Sequence, residues 1–281
     1  LIKGRSPEKR IMCAAHMDEI GFIVRHIDDN GFIRILPLGG FDPKTLTAQR
    51  VVVHGTRDLP GCMGVKPIHV MSPEERTKMP QVTDYVVDLG MSKEEVEKYV
   101  SIGDSITRIG DLVEMGDCLN VKSIDNRGGC YLLIEAIRAI LAAGEKPCYD
   151  LYAVFSVQEE VGLRGAATAA YTADPDMGIA LDVTGVGDVP GHKDHLPMKL
   201  GEGAAVKIMD RSLICTPAVV DLMIACAEEN NIRYQREVLA FGGTDAGAIQ
   251  KTRGGVPSGV ISIPCRYIHS AAETVDLRDV E

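Results

Sequence analysis

The chain has 281 residues, 45% of them hydrophobic, and a formal net charge of −10 at pH 7. That length can build one large core plus a smaller module. The acidic balance argues against broad binding to nucleic acid or to an anionic membrane surface. No apolar stretch reaches the roughly 18 residues that span a bilayer and no signal-peptide pattern opens the chain, so a cytoplasmic protein is expected. Eight cysteines (Cys13, Cys62, Cys118, Cys130, Cys148, Cys215, Cys226 and Cys265) are scattered without a CxxC, several inside apolar runs. They read as buried thiols in a reducing compartment. The absence of Trp and an aromatic content of 5% argue against a carbohydrate-binding face.

In chain order, residues 10–15, 20–27 and 32–36 have strand character, with Asp29-Asn30-Gly31 as the turn between the last two. Residues 45–117 carry short strand-like pieces and turn residues. They also carry one expected helix at 92–100, opened by a Ser92/Glu95 capping box. This stretch reads as an inserted small β-rich domain between two parts of a catalytic domain, 1–44 and 118–281. A helix follows, with Cys130, Leu133, Ile134, Ile137, Ile140 and Leu141 on one face and Gly144 as its stop. Strands at 151–157, 178–183, 204–209, 232–239 and 259–263 then alternate with helices at 165–173, 216–230 and from 245. The helix at 216 has Thr216 as N-cap and Pro217 at its first position. Such alternation predicts an α/β fold, a mixed sheet sandwiched by helices.

Apolar runs in this chain repeatedly end in a potential metal ligand: His16 after CAA, Glu159 and Glu160 after AVFSV, Asp182 within GIALDV, His269 after PCRYI. Asp125 in KSIDNRGG joins them. Each alone has an ordinary reading. His16 could close a strand, the paired glutamates could be surface charge, Asp182 could be salt-bridged, Asp125 could cap a helix and His269 could be a core imidazole. Together they are a set suited to borderline divalent cations, with one acid left over for proton transfer. Open α/β sheets collect ligands beyond the carboxyl ends of their strands, where these residues are expected. Asp18 is spaced to hydrogen-bond the second imidazole nitrogen of His16, and two adjacent acids at a strand end can point to different sides. His192 and His195 have a metal-like spacing but sit in DVPGHKDHLP, read as a solvated loop. His54 and His69 belong to the inserted stretch, and His26 lies in a strand with no nearby acid that would distinguish it.

The stretches AAHMDEIGF, SIDNRGG, QEEVGLRGA, ALDVT, FGGTDAGAIQ and IPCRYIHS, in this order, resemble the M42 family of metallo-aminopeptidases over nearly the whole chain. The resemblance implies an exopeptidase that takes short peptides and holds two divalent ions, zinc or cobalt, with manganese an alternative. It implies that His16 and Asp182 bind one ion, Glu160 and His269 the other, and that Asp125 bridges them. Glu159 would be the general base and Asp18 the partner of His16. It further implies a cis Asp125–Asn126 peptide and homo-oligomers from a dimer to a tetrahedral dodecamer. Self-association through 45–117 is also expected because a small β module with exposed edges is stabilised by pairing. Some members bear an endoglucanase label, which fits poorly here because glycosidases set two carboxylates about the bond without metal. A deacylase or carboxypeptidase using the same two-metal chemistry, and a non-catalytic oligomeric scaffold, are the alternatives. Relative to the family pattern, the chain is expected to be shortened at both ends.

Overall fold

A computed structural model describes residues 1–191 and 197–281, so His192 and His195 lie outside the described residues. The first half carries β1 (Ser6–His16), β2 (Gly21–Ile27), β3 (Ile33–Leu38), β4 (Arg50–His54) and β5 (Asp58–Gly64). These are followed by α1 (Pro73–Arg76), β6 (Val86–Asp88), α2 (Lys93–Val96), β7 (Ser105–Arg108), β8 (Val113–Met115) and β9 (Cys118–Val121). The second half carries α3 (Ile124–Ala142), β10 (Tyr149–Ser156), α4 (Arg164–Ala173), β11 (Met177–Gly185), β12 (Ala204–Met209) and α5 (Pro217–Glu229). β13 (Tyr234–Val238), α6 (Ala246–Ile249), β14 (Ser258–Cys265) and β15 (Glu273–Asp276) complete it. They form two compact units, one of residues 1–18, 112–268 and 273–281, the other of 19–111 with 269–272.

The first unit is built on a six-stranded sheet in the order β10-β1-β11-β14-β12-β13. β10, β1, β11 and β14 run parallel, and β12 pairs antiparallel with β14, which makes the sheet mixed. Its strands are apolar on both faces, as they must be when helices cover both. Met12 and Ala14 of β1 pack with Ala166 and Ala170 of α4 and Ile249 of α6. Cys13 and Ala15, pointing the other way, pack with Cys130, Leu133 and Ile137 of α3. α5 lays Val219, Val220 and Met223 over Ala180 and Val260, on the α4 side. Alanines at 166, 170 and 173 let α4 lie close to the sheet. A three-stranded sheet, β15-β9-β8, completes this unit.

The second unit is a closed barrel, β2-β3-β6-β5-β4-β7, filled by Phe22, Val24, Ile33, Ile35, Val51, Val53, Met63, Tyr85, Val87 and Ile106. This corrects the expected boundary of 45–117. β2 and β3 pair with β7 and β6, so the unit begins at Glu19, while β8 and β9 belong to the first unit. Closure also removes the free strand edges on which self-association was expected.

Local departures have local causes. The helix expected at 92–100 is a single turn, α2, although its reciprocal Ser92/Glu95 cap is present. Thr216 precedes α5 with Pro217 first, but its hydroxyl accepts the Ser258 amide rather than a helix N–H. In α3 the apolar stripe is narrower than expected, with Ile134 and Leu141 exposed, and the helix stops at Gly144 with φ 69°. All eight cysteines are free; Cys62, Cys148 and Cys226 are exposed rather than buried. Among the described residues no helix is long and apolar enough to cross a membrane.

Candidate metal centre

The buried run Met12, Ala14, Ala15 carries β1 between β10 and β11 and sets His16 opposite Ser156, 1% exposed. Its Nδ1 lies 3.1 Å from the backbone carbonyl oxygen of Asp18. A carbonyl only accepts, so Nδ1 carries a proton and Nε2 is the nitrogen turned toward the acids. Nε2 faces three acids: Asp125 Oδ1 at 3.1 Å, and Glu159 Oε2 and Asp182 Oδ1 each at 3.8 Å. The Cys130 thiol donates to the His16 carbonyl at 3.2 Å, which ties the strand end to α3.

The Asp18 carboxylate lies 3.6 Å from His16 Nδ1, within ion-pair range of the ring. It also accepts the main-chain N–H groups of Glu159 and Glu160, at 3.2 and 3.3 Å. Burial opposes its ionisation, but His16 and these two amides outweigh it and hold the group below the usual carboxylate range. One residue thus fixes the imidazole through its carbonyl and the glutamate pair through its side chain.

Asp125 sits where α3 begins, with non-helical φ/ψ of −76° and 101°, and its peptide with Asn126 is cis. Its main-chain N–H donates to Glu273 Oε2 at 3.0 Å, a buried carboxylate of β15. Asn126, fully buried, donates to the Leu181 carbonyl at 2.7 Å and accepts the Gly129 amide at 3.1 Å. A Cβ at Gly129 would lie 2.2 Å from Asn126 Oδ1, so this close turn requires the second glycine of the DNRGG stretch. Asp182 lies within β11, paired in register with Ser262, and its Oδ1 accepts the Val183 amide at 2.8 Å.

Glu159 and Glu160 follow the end of β10 in a turn rather than lying on two sides of a strand. Gln158 has φ 60°, and the Glu159 carbonyl accepts the amides of Gly162 and Leu163, both at 2.9 Å. Glu159 is buried and Glu160 half-buried. His269 belongs to the segment 269–272 of the barrel unit, covalently continuous with Ile268 of the sheet unit. It has φ 62°, and its carbonyl accepts from Arg108.

The electrostatics follow from crowding acids out of water. Burial first, then the charge of Asp182, pushes Glu159 up to about 10. Burial likewise raises Asp182, against the pull of His16. Burial disfavours a charged His16, yet the carboxylates of Asp125, Asp18 and Asp182 beside the ring raise its pKa well above the ordinary value. Burial and mutual repulsion keep these acids from ionising together beside one imidazole, and bound cations are what would let them all carry charge. Ligand atoms of His16, Asp125 and Asp182 all lie within 4.8 Å of one another, as do those of His16, Glu159 and Glu160. Donors of one imidazole and several carboxylates suit zinc or cobalt, so the residues fit the ions that the sequence implied.

Four supporting groups had little or no sequence signal. Glu273 is an acid opening a β-run, ordinary in appearance, yet it holds Asp125. Asn126 and Cys130 flank the arginine and glycines of the motif and look like turn and core residues. Asp245, in the GGTDA stretch, is 1% exposed and accepts a hydrogen bond from Ser156, while burial pushes it up to about 6.

Comparison with known proteins identifies the family. The M42 glutamyl aminopeptidase family matches residues 1–281. The chain is 37% identical over 289 residues to lysyl aminopeptidase of Pyrococcus furiosus, covering 99% of this chain and 80% of the relative. Among solved structures, a TET aminopeptidase from the marine sediment archaeon Thaumarchaeota archaeon SCGC AB-539-E09 superposes with a TM-score of 0.96 at 38% identity. That match covers 99% of this chain and 79% of that one. The Pyrococcus horikoshii TET1 peptidase gives 0.84 at 32% identity, covering 99% and 82%. A whole-chain family match, joined to a buried His and carboxylate cluster, makes this chain a member of the M42 glutamyl aminopeptidase family and a hydrolase.

Proposed function

We propose that this enzyme removes N-terminal residues from short peptides in the cytoplasm, using two divalent ions. His16 and Asp182 would hold one, Glu160 and His269 the other, Asp125 would be the ligand shared by both, and Glu159 would be the general base. The observation that carries the reading is the convergence on His16 Nε2 of three buried acids from three separate elements. The ions, when bound, acidify a water and polarise the amide carbonyl. Glu159 receives the proton of the attacking water on a carboxylate oxygen and returns it to the amine nitrogen as the C–N bond breaks. Asp18, bonded to the amides of both glutamates, keeps base and ligand in fixed relation. With its Nδ1 proton directed to the Asp18 carbonyl, His16 would offer Nε2 to an ion. The free α-amine of a peptide would bind one of the ions or a nearby carboxylate, which favours exopeptidase action.

An aminoacyl p-nitroanilide and an N-acetylated amino acid distinguish this from other amide chemistry. The free-amine substrate is expected to be hydrolysed and the acetylated one left intact. The reverse preference would make the enzyme a deacylase, and absence of both hydrolysis and bound metal would make it a scaffold.

The enzyme is also proposed to form homo-oligomers. The Pyrococcus horikoshii relative assembles into a tetrahedron or a large octahedral shell. In this chain, Ile68, Val70 and Met79 of the barrel unit expose apolar side chains. Native mass measurements are expected to show a dimer or larger, up to a dodecamer. A monomer throughout the micromolar range would refute it.

A further inference from the structure

We propose that Arg108, the last residue of β7, is a positioning residue that sets the metal-binding geometry of His269; the inference rests on the reading of His269 as a ligand. Arg108 is 3% exposed, an uncommon burial for a group that stays charged at every physiological pH. Its Nη1 donates to the His269 carbonyl oxygen at 2.9 Å. A guanidinium bond to a carbonyl is charge-assisted and directional, so it fixes the peptide plane rather than merely neutralising charge.

That peptide plane needs fixing. His269 has φ 62°, a left-handed conformation that costs a side-chain-bearing residue and persists where the surroundings enforce it. The direction of the Cα–Cβ bond, and so the position of the imidazole, follows from this backbone conformation. Arg108 is itself held. Its guanidinium lies over the Phe41 ring, 5.1 Å from the centroid, and Phe41 stacks on Phe22 at 4.4 Å with 21° between planes. Phe22 is fully buried in the barrel core, so the chain of contacts runs from the core through two rings and one guanidinium to the His269 carbonyl. The neighbouring Gly40 flanks the ring: a Cβ there would lie 3.6 Å from Nδ1, in ordinary van der Waals contact.

The test is zinc binding to the full-length, metal-stripped chain, by titration against a chromophoric chelator. Arg108→Met keeps much of the bulk over Phe41 and removes the donor; Arg108→Lys keeps the charge and loses the planar fork. Arg108→Met is expected to weaken one of two zinc sites by about 10- to 100-fold, the usual cost of losing a partner behind a ligand, and to leave the other unchanged. Arg108→Lys is expected to weaken the same site less. Wild-type binding of both ions in these variants, or equal weakening at both sites, would overturn the proposal. If Arg108→Met does not fold, Arg108→Lys decides by the same two outcomes. His269→Asn separates the two readings. Retention of both zinc ions by His269→Asn would refute the ligand role itself, whereas loss in His269→Asn alone would refute only the role of Arg108.

Discussion

Replacing Glu159 with Gln is expected to leave both metal ions bound while turnover falls by about 10² to 10⁴ or more. The amide keeps the size and shape of the side chain and its backbone N–H bond to Asp18, so the turn survives. What it loses is a carboxylate oxygen able to take a proton 3.8 Å from His16 Nε2. Glu160, chemically alike and adjacent, is expected to respond otherwise. Glu160→Gln should lose metal at one position, and excess metal should recover part of its activity, because a weakened ligand can be compensated by mass action. Metal content and turnover measured together on both variants decide. Loss of a metal by Glu159→Gln with an inactive, fully loaded Glu160→Gln would exchange the two roles, and near-normal peptidase activity in both would refute the mechanism.

Asp125→Ala is expected to have the largest effect on metal. A bridging carboxylate serves both ions, so its removal should weaken both positions, by more than the roughly 10- to 100-fold that outer partners cost. After dialysis the variant should hold less than one ion per chain and show almost no hydrolysis. Its fold should persist, because Asn126 keeps its own bonds to Leu181 and Gly129. A variant that loses a single ion and keeps the other at wild-type affinity would show that Asp125 serves one position only.

Much of the sheet unit was legible because its signals are local. Apolar runs ending in His16, in Glu159 and Glu160, and around Asp182 locate strands and their ends, and the 204–209 strand matches β12 residue for residue. The limits were equally physical. Residues 20–36 look like strands in either unit. Only pairing with β6 and β7, across 50 residues or more, shows that they close a barrel. The spacing of two residues points Asp18 at the His16 ring. Its carboxylate also accepts the amide of a turn 141 residues away, which no local pattern reveals. Thr216 was expected to cap α5 by the same local logic, and the Ser258 amide competes for its hydroxyl. Glu273 and Arg108 escaped notice because an acid opening a strand and a basic residue closing one are ordinary, and their significance appears once Asp125 and His269 are seen to lean on them.

The most direct measurement is activity against metal content while the stripped enzyme is reloaded stepwise with zinc, cobalt or manganese, with an aminoacyl p-nitroanilide as substrate. The account predicts negligible hydrolysis in the stripped protein, full hydrolysis only as the second ion per chain is bound, and none of the N-acetylated analogue at any loading. Hydrolysis that survives stripping, or that is complete at one ion per chain, would contradict it.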